Sequence, residues 1–172
     1  MKIYLVGYMG SGKSSVGKLL SEKLKIDFID FDKLIENETG KTIIELFETE
    51  GEDKFRLLEH DVLKKILARK NSVIALGGGT PCFHNNIDLI NKTGISVYLE
   101  MSPDALAKRL SKEKRNRPLL HNMNEQELKL FIETNLEKRF VFYRKAKYAI
   151  QIENHSAEEV ANKIMKLTGT AK

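Results

Sequence analysis

The stretch Ile3-Tyr4-Leu5-Val6-Gly7-Tyr8-Met9-Gly10-Ser11-Gly12-Lys13-Ser14 determines the fold that we predict for this chain. Its first four residues form an apolar run typical of a buried strand, and a helical pattern begins at Lys13. The residues between them follow the pattern Gly-x-x-x-x-Gly-Lys-Ser, which forms a phosphate-binding loop when it joins a strand to a helix. The stretch therefore predicts a nucleotide phosphate site on an α/β fold, and a chance glycine-rich turn is the alternative.

Each residue type in this loop has a use in binding phosphate. Glycines let the backbone turn its N–H groups toward phosphate oxygens, and the positive end of the helix dipole faces the same anion. Lys13 can reach the β- and γ-phosphates as a catalytic cation, and the Ser14 hydroxyl can ligate Mg²⁺. The residues that we expect to bind ATP are Gly10, Ser11, Gly12, Lys13, Ser14 and Ser15.

Four further apolar runs are predicted to be strands, and they alternate with helical patterns. They span residues 26–30, 72–76, 95–99 and 148–152. Because these runs are mostly apolar rather than strictly alternating between apolar and polar residues, the pattern favours a parallel sheet that is covered by helices on both faces. Between the second and third strands we expect helices with breaks near Gly40 and Gly51. A chain of 172 residues fits one domain with one core.

Composition restricts the class of protein. The net charge of +5 suits an anionic ligand, but no lysine-arginine tract or basic stripe with interleaved aromatics indicates nucleic acid. Cys82 is the single cysteine, which excludes an intramolecular disulfide and favours a reducing compartment. The apolar run before Gly7 is too short for a signal peptide or a membrane span. We therefore expect a cytoplasmic protein without a membrane partner.

Two carboxylates follow the second predicted strand, at the edge where parallel sheets bind ligands. Asp30 and Asp32 flank Phe31, and in an extended segment both would point to the same side. We expect Asp32 to orient an acceptor hydroxyl and to accept its proton, and Asp30 to hold Mg²⁺ directly or through water. The alternative is that Asp32 caps the next helix.

Arg139 and a triple glycine are further candidates for acceptor binding. A helix that opens near Asn124 carries an apolar stripe, which includes Leu128 and is expected to face the core. On this helix Arg139 lies within about 20° of the direction of Leu128, so it falls on the same inner stripe. A ligand carboxylate would be a suitable partner for such an arginine. Gly77-Gly78-Gly79 follows the third strand and favours close approach of a ligand to the backbone. The alternatives are an arginine that reaches water at a helix end and a flexible turn.

Two other arginine sites are less distinctive in the sequence. Residues 112–120 read Lys-Glu-Lys-Arg-Asn-Arg-Pro-Leu-Leu, which is either a solvated helix end with a loop or a cationic lid. A lid would exclude water and stabilise transition-state charge over the phosphates. Arg56 follows Phe55 beside an apolar helix face, and the residues alone favour a surface arginine.

Taken together, these features resemble the shikimate kinase family. The segments that carry the resemblance are Gly7–Ser14, Asp30-Phe31-Asp32, Phe55-Arg56, Gly77-Gly78-Gly79, Arg117-Pro118-Leu119-Leu120 and Lys138-Arg139. They occur in the family's order and spacing over essentially the whole chain. The resemblance implies a three-layer P-loop fold of nucleoside-monophosphate-kinase type with strand order 2-3-1-4-5. It also implies Mg²⁺- and ATP-dependent phosphorylation of the shikimate 3-hydroxyl, a step of aromatic amino acid biosynthesis through chorismate.

The resemblance assigns roles to single residues. Asp32 would bind the shikimate hydroxyls and serve as the candidate base. Arg56 and Arg139 would bind the shikimate carboxylate, and Gly78 would contact shikimate through its backbone. Arg117 would be a catalytic arginine of the lid that reaches ATP.

The resemblance also implies a domain plan. A single kinase domain would span residues 1–172, with a shikimate-binding helical region at about 32–60 and a lid at about 112–123. Adenine contacts would fall near Asn154 or His155. The expected partners are ATP and shikimate, and the expected assembly is a monomer.

The chain departs from the family pattern at two places. Ser15 stands where threonine is expected, and residues 140–143 lack a proline that is common there. Two rival functions remain at this stage: a related P-loop kinase acting on gluconate or a nucleoside monophosphate, and a nucleotide-dependent switch that hydrolyses ATP. The joint presence of Asp32, Arg56, Gly78 and Arg139 argues against both.

Overall fold

A parallel sheet forms the centre of the structure, a computed structural model that describes residues 1–113, 120 and 123–170. In these residues the strands are β1 (Lys2–Val6), β2 (Asp27–Asp30), β3 (Ser72–Ala75), β4 (Ile95–Glu100) and β5 (Tyr148–Gln151). All neighbouring strands pair in parallel, in the order β2-β3-β1-β4-β5. Both the parallel sheet and its strand order are as predicted.

Helices follow the strands in an alternating order. The helices in the described residues are α1 (Lys13–Leu24), α2 (Phe31–Thr39), α3 (Ile43–Ile66), α4 (Asn86–Thr93), α5 (Pro103–Glu113), α6 (Glu125–Tyr143) and α7 (Ala157–Leu167). Because crossover connections are right-handed, the change of direction at β1 places α1 on one face and the helices between β2 and β5 on the other. The last helix, α7, packs against α1. The result is the predicted three-layer fold.

The two predicted breaks in the helical region are both glycines in backbone conformations that other residues rarely adopt. Gly40 has a φ of 69° and closes α2, and its N–H donates to Glu36 O at 2.8 Å. Gly51 has a φ of 78° and a ψ of 167°, and it interrupts α3. Since both positions require positive φ, glycine is the residue that ends each helical run without steric cost.

The sheet register brings the carboxyl ends of three strands to one level. Leu5 of β1 lies opposite Ala75 of β3, which in turn lies opposite Asp30 at the end of β2. The segments that continue from these strands therefore leave the sheet side by side. They are the loop after Val6, the start of α2 and the glycine loop after β3. This edge is where ligands bind in open α/β sheets.

Side-chain caps fix the starts of several helices. Helices α6 and α7 begin with capping boxes, Asn124 with Glu127 and Ser156 with Glu159. The Ser102 hydroxyl accepts a hydrogen bond from Ala105 N at 3.2 Å at the start of α5. These caps satisfy backbone N–H groups that a helix cannot pair within itself.

Most of the predicted lid segment lies outside the described residues. Helix α5 includes Lys112 and Glu113, so this start of the segment is helical rather than a loop. Leu120 is fully buried in the core. Within the described ranges, no helix combines the length and the apolar character that crossing a bilayer would require.

We predict that the cap of α6 contributes measurably to stability. Replacing Asn124 with alanine should lower the free energy of unfolding by about 1 kcal/mol, because the Glu127 N–H loses its acceptor at 2.9 Å. Urea unfolding followed by circular dichroism measures this change. Gln126→Ala is the matched control, since Gln126 is exposed in the same turn and outside the capping box. Equal effects of the two substitutions would contradict the prediction.

Candidate active site

The phosphate loop has the backbone geometry that its glycines predict. Gly10 and Gly12 have φ values of 80° and 82°, and Gly12 is the N-cap of α1. The Ser11 N–H donates to Tyr8 O at 3.2 Å inside the loop. Because α1 begins at Lys13, its unpaired N–H groups lie at the mouth of the loop, where they can bind an anion.

Side chains of the loop connect it to itself and to β2. The Lys13 ammonium donates to Gly7 O at 2.8 Å and to Tyr8 O at 2.9 Å. The Ser14 hydroxyl donates to Asp30 Oδ2 at 2.8 Å. The predicted phosphate ligands and one of the predicted acids are therefore parts of one connected group.

This group lines a cavity of about 410 Å³. The loop residues that line it include all six predicted to bind ATP, namely Gly10, Ser11, Gly12, Lys13, Ser14 and Ser15. Asp30, Asp32 and Gly78 line the same cavity, and so does His155, one of the two residues near which adenine contacts were expected. Asn154 instead lines a neighbouring cavity, and Arg109 lines both cavities. The structure thus brings the phosphate loop, both acids and the glycine loop together.

The acidic pair has a different backbone from the extended one assumed in the sequence analysis. Helix α2 begins at Phe31, so Asp32 lies in its first turn. The cap of α2 is Asp30, whose Oδ1 accepts from Lys33 N at 3.4 Å, and not Asp32. Both the extended geometry and the alternative role of Asp32 as a cap are therefore wrong. The two carboxylates still line one cavity because the strand end and the helix start meet at its wall.

Asp32 lies among protein groups that disfavour its charge. Burial raises the pKa of the Asp32 carboxyl to about 6, against the effect of the Lys13 charge, and the nearby carboxylates of Glu59 and Asp30 raise it further. The residue is nevertheless exposed to solvent by its accessible surface, and water screens part of this effect. A carboxyl group with a pKa near 6 is ionised at neutral pH and is a stronger base than an ordinary aspartate.

Arg56 is a buried residue, so the surface position favoured by the residues alone is wrong. Its side chain is 8% exposed and its Nη1 donates to Glu59 Oε2 at 2.8 Å. The Glu59 side chain is 1% exposed and also accepts a hydrogen bond from the Thr80 hydroxyl. A second, more exposed carboxylate, Glu52, accepts from Nη2 of the arginine at 3.0 Å. Buried charges of this kind require such pairing.

Aromatic rings and a glycine complete the surroundings of Arg56. The ring centroids of Phe83, Phe55 and Phe47 lie 4.5, 5.2 and 5.4 Å from its Cζ. A Cβ atom at Gly79 would lie 2.5 Å from Arg56 Nη1, so a larger residue at this position would force the guanidinium to move. Gly79 therefore lets the arginine keep its present position against the loop.

Arg139 lies on the inner stripe of α6, as predicted. Leu128 and Ile132 on the same stripe are buried, and Arg139 itself is half-buried. Its Cζ lies 5.4 Å from the ring centroid of Tyr8 in the phosphate loop. A Cβ atom at Gly78 would lie 3.4 Å from Arg139 Nη1, so the arginine contacts the glycine loop. The side chain is directed toward the loops at the sheet edge rather than away into solvent.

Some site residues were missed in the sequence analysis, and one predicted residue lies outside the structure. Glu59 was missed, although its position three residues after Arg56 on one helix is the spacing of an ion pair. Thr80 was missed as well, and no short pattern marks it. Arg117 lies outside the described residues. Cys82 is close to both arginines, but burial raises the pKa of its thiol to about 11, which fits an unreactive residue.

The buried ion pair predicts that two similar substitutions on α3 lower the free energy of unfolding by very different amounts. Glu59→Gln leaves the buried Arg56 charge without its closest partner and should lower the free energy of unfolding by about 3 kcal/mol. The control is Asp61→Asn, which removes an exposed pair of the same spacing with Lys64 and should lower the free energy of unfolding much less, because water screens exposed charges. Urea unfolding of both variants at pH 7.5 measures the difference, and equal costs would contradict the buried-pair interpretation.

Comparisons with known proteins agree on one family. The family model described as shikimate kinase matches residues 9–168. A shikimate kinase of Azobacteroides pseudotrichonymphae genomovar. CFP2 is 41% identical over 165 residues, which cover 95% of this chain and 97% of the relative. The crystal structure of shikimate kinase from Bacteroides thetaiotaomicron has a TM-score of 0.94 and 40% identity, and the match covers 98% of each chain.

A second solved structure carries a ligand. It is shikimate kinase from Acinetobacter baumannii in complex with shikimate, with a TM-score of 0.88 and 39% identity over 98% of this chain and 93% of the other. Identity of this degree over nearly the full length goes beyond a shared fold. With the family model, it establishes that the chain belongs to the shikimate kinase family.

Proposed function

We propose that this chain transfers the γ-phosphate of ATP to the 3-hydroxyl of shikimate, giving shikimate 3-phosphate and ADP for aromatic amino acid biosynthesis. The observation that carries the proposal is the shared cavity, which Asp32 and Gly78 line together with the phosphate loop. Arg139 contacts Gly78 at the side of this cavity. A carboxylate, a side-chain-free wall and an arginine are the groups that a small polyhydroxy acid requires.

The nucleotide half of the reaction depends on the loop and on α1. Backbone N–H groups of the loop and the start of α1 would bind the phosphates, and Lys13 would neutralise charge that develops on the transferred group. The Asp32 carboxylate would orient the acceptor hydroxyl and accept its proton. Phosphoryl transfer depends chiefly on alignment and charge stabilisation. Orienting the hydroxyl is therefore a larger contribution of Asp32 than accepting its proton.

The acceptor half depends on the two arginines. Arg139 forms no ion pair with a carboxylate in the part of the chain that the structure describes, and its guanidinium is suited to bind a ligand carboxylate through two hydrogen bonds. Arg56 would supply the second cation, with Glu59 fixing its orientation. Backbone of Gly78 would form the wall against which the shikimate ring lies.

The Ser14 hydroxyl and the Asp30 carboxylate fit a magnesium site. Their oxygens already meet at 2.8 Å, and Mg²⁺ in kinases takes one or two protein oxygens together with phosphate oxygens and water. We propose that Ser14 contacts the ion and that Asp30 holds it directly or through water. The ion would neutralise phosphate charge during transfer.

We propose the same domain plan as the resemblance implies. The single kinase domain spans residues 1–172, its shikimate-binding region at about 32–60 includes α2 and the first part of α3, and its lid at about 112–123 carries Arg117. The protein would act as a monomer in the cytoplasm, without nucleic acid or membrane partners. Adenine would bind near His155, which lines the phosphate cavity.

An acceptor panel tests the proposed function. Release of ADP is measured with ATP and Mg²⁺ in the presence of shikimate, gluconate or nucleoside monophosphates. We expect strong stimulation by shikimate alone, and no turnover by a Lys13→Ala control. Stimulation by gluconate or a monophosphate but not by shikimate would refute the proposal. ADP release that is equal with and without acceptors would indicate an ATP-hydrolysing switch instead.

The raised pKa of Asp32 predicts an acid limit to activity. Below about pH 6 the carboxyl is protonated and cannot accept the hydroxyl proton, whereas above it the carboxylate is present. The kcat/KM for shikimate should therefore fall tenfold for each pH unit below about 6. Asp32→Asn should lower kcat strongly at all pH values while the Kd of ADP stays unchanged. A flat profile from pH 5 to 7.5 in folded protein would contradict the assignment.

Substitution of Arg139 should change the KM of shikimate much more than the KM of ATP. Arg139→Ala removes a charge-assisted hydrogen bond of about 1.5–3 kcal/mol, so the KM of shikimate should rise by roughly 10- to 150-fold. The KM of ATP should change much less. Initial-rate kinetics with each substrate varied in turn measure both constants. Equal increases would argue that Arg139 does not bind the shikimate carboxylate.

A further inference from the structure

Tyr143, the last residue of α6, is fully buried at the border between that helix and the glycine loop. Its hydroxyl donates a hydrogen bond of 2.6 Å to Gly78 O. Its ring lies against that of Tyr98, with the centroids 5.2 Å apart. This hydrogen bond therefore links Gly78, which lines the cavity, to the helix that carries Arg139.

Tyr143 and Arg139 both lie against Gly78: the Tyr143 hydroxyl bonds its carbonyl oxygen, and Arg139 Nη1 lies 3.4 Å from where a Cβ of that residue would be. They are four residues apart on α6, so their side chains lie on one face of the helix. Burial raises the pKa of Tyr143 and the Arg139 charge lowers it, as expected for two groups that share this corner of the structure. Because the hydroxyl proton points to Gly78 O, a lone pair of the oxygen is available to the guanidinium.

A second tyrosine contacts Arg139 from the phosphate loop. Tyr8 is 1% exposed, and its ring centroid lies 5.4 Å from Arg139 Cζ, in the range of a cation–π contact. The hydroxyl of Tyr8 is buried without a hydrogen-bond partner among the described residues. The contribution of Tyr8 to the site is therefore the face of its ring.

The two arginines of the site are held in different ways. Arg56 is oriented by the carboxylates of Glu59 and Glu52, which also neutralise its charge. Arg139 has neutral neighbours instead, and no carboxylate pairs with it in the described part of the chain. Neutral groups can restrict the many rotamers of an arginine and still leave its full charge for a ligand.

We propose that Tyr143 and Tyr8 are positioning residues that hold the Arg139 guanidinium ready for the acceptor carboxylate, Tyr143 through its hydroxyl and Tyr8 through its ring. This inference rests on the proposed function, because it concerns the same acceptor. The Tyr143 hydroxyl sets the position of Gly78 O at the same time. One hydroxyl thus aligns both the arginine and the cavity wall that the acceptor contacts.

Equilibrium binding of shikimate tests the role of Tyr143 without involving turnover. Tyr143→Phe should weaken shikimate binding by about three- to tenfold in isothermal titration calorimetry, while the Kd of ADP changes less than twofold. Tyr4→Phe is the matched control, since Tyr4 is also fully buried and its hydroxyl bonds Thr93 Oγ1 at 2.9 Å near the amino end of β4. The control should lose similar thermal stability and bind shikimate like the unaltered protein.

A double-mutant cycle shows whether Tyr143 acts through Arg139. In an Arg139→Lys background, Tyr143→Phe should weaken shikimate binding by a clearly smaller factor than in the unaltered protein, because only the contact with Gly78 O is then left to lose. Additive effects of the two substitutions would overturn the proposal and indicate a general structural role for Tyr143.

Tyr8 supplies a second, independent variant if Tyr143→Phe does not fold. Tyr8→Leu should weaken shikimate binding at least threefold, and Tyr8→Phe, which keeps the ring, should restore it. Equal binding by the leucine and phenylalanine variants would overturn the part assigned to Tyr8. Failure of the unaltered protein to bind shikimate would refute the proposed function. Shikimate binding that Tyr143→Phe leaves unchanged would refute the positioning role alone.

Discussion

The parallel register of β1, β2 and β3 is the constraint on which the site depends. Because Leu5, Ala75 and Asp30 lie on one level, the segments after the three strands begin side by side and must share the space above the sheet edge. The phosphate loop, the start of α2 and the glycine loop fill that space, and residues without side chains let them approach closely. The cavity that these three segments line together follows from this packing.

The charged groups in and around the cavity differ in their electrostatic surroundings. Glu59 balances the charge of the buried Arg56, and its proximity also contributes to the raised pKa of Asp32. Arg139 differs from Arg56, because in the described part of the chain it lies against the Tyr8 ring and pairs with no carboxylate. One buried acid therefore pairs with Arg56 and also affects the pKa of Asp32.

The sequence predicts local features of this protein better than contacts between distant segments. The strand-loop-helix stretch around Gly7–Ser14 and the helix breaks at Gly40 and Gly51 depend on neighbouring residues, and the structure confirms them. The burial of Arg56 depends on Thr80, the phenylalanine rings and the missing side chain of Gly79, none of which lie beside it in the α3 sequence. The extended pair at Asp30 and Asp32 was predicted wrongly because a cap and a strand end use the same residue types.

A crystal structure with shikimate and a non-hydrolysable ATP analogue tests the central claim most directly. The claim is that the acceptor lies between the arginine pair and the phosphate loop. We expect the shikimate carboxylate to contact Arg56 and Arg139, with its 3-hydroxyl within hydrogen-bond distance of Asp32 and directed at the γ-phosphate. A carboxylate bound away from both arginines, or an acceptor hydroxyl out of reach of Asp32, would contradict this account.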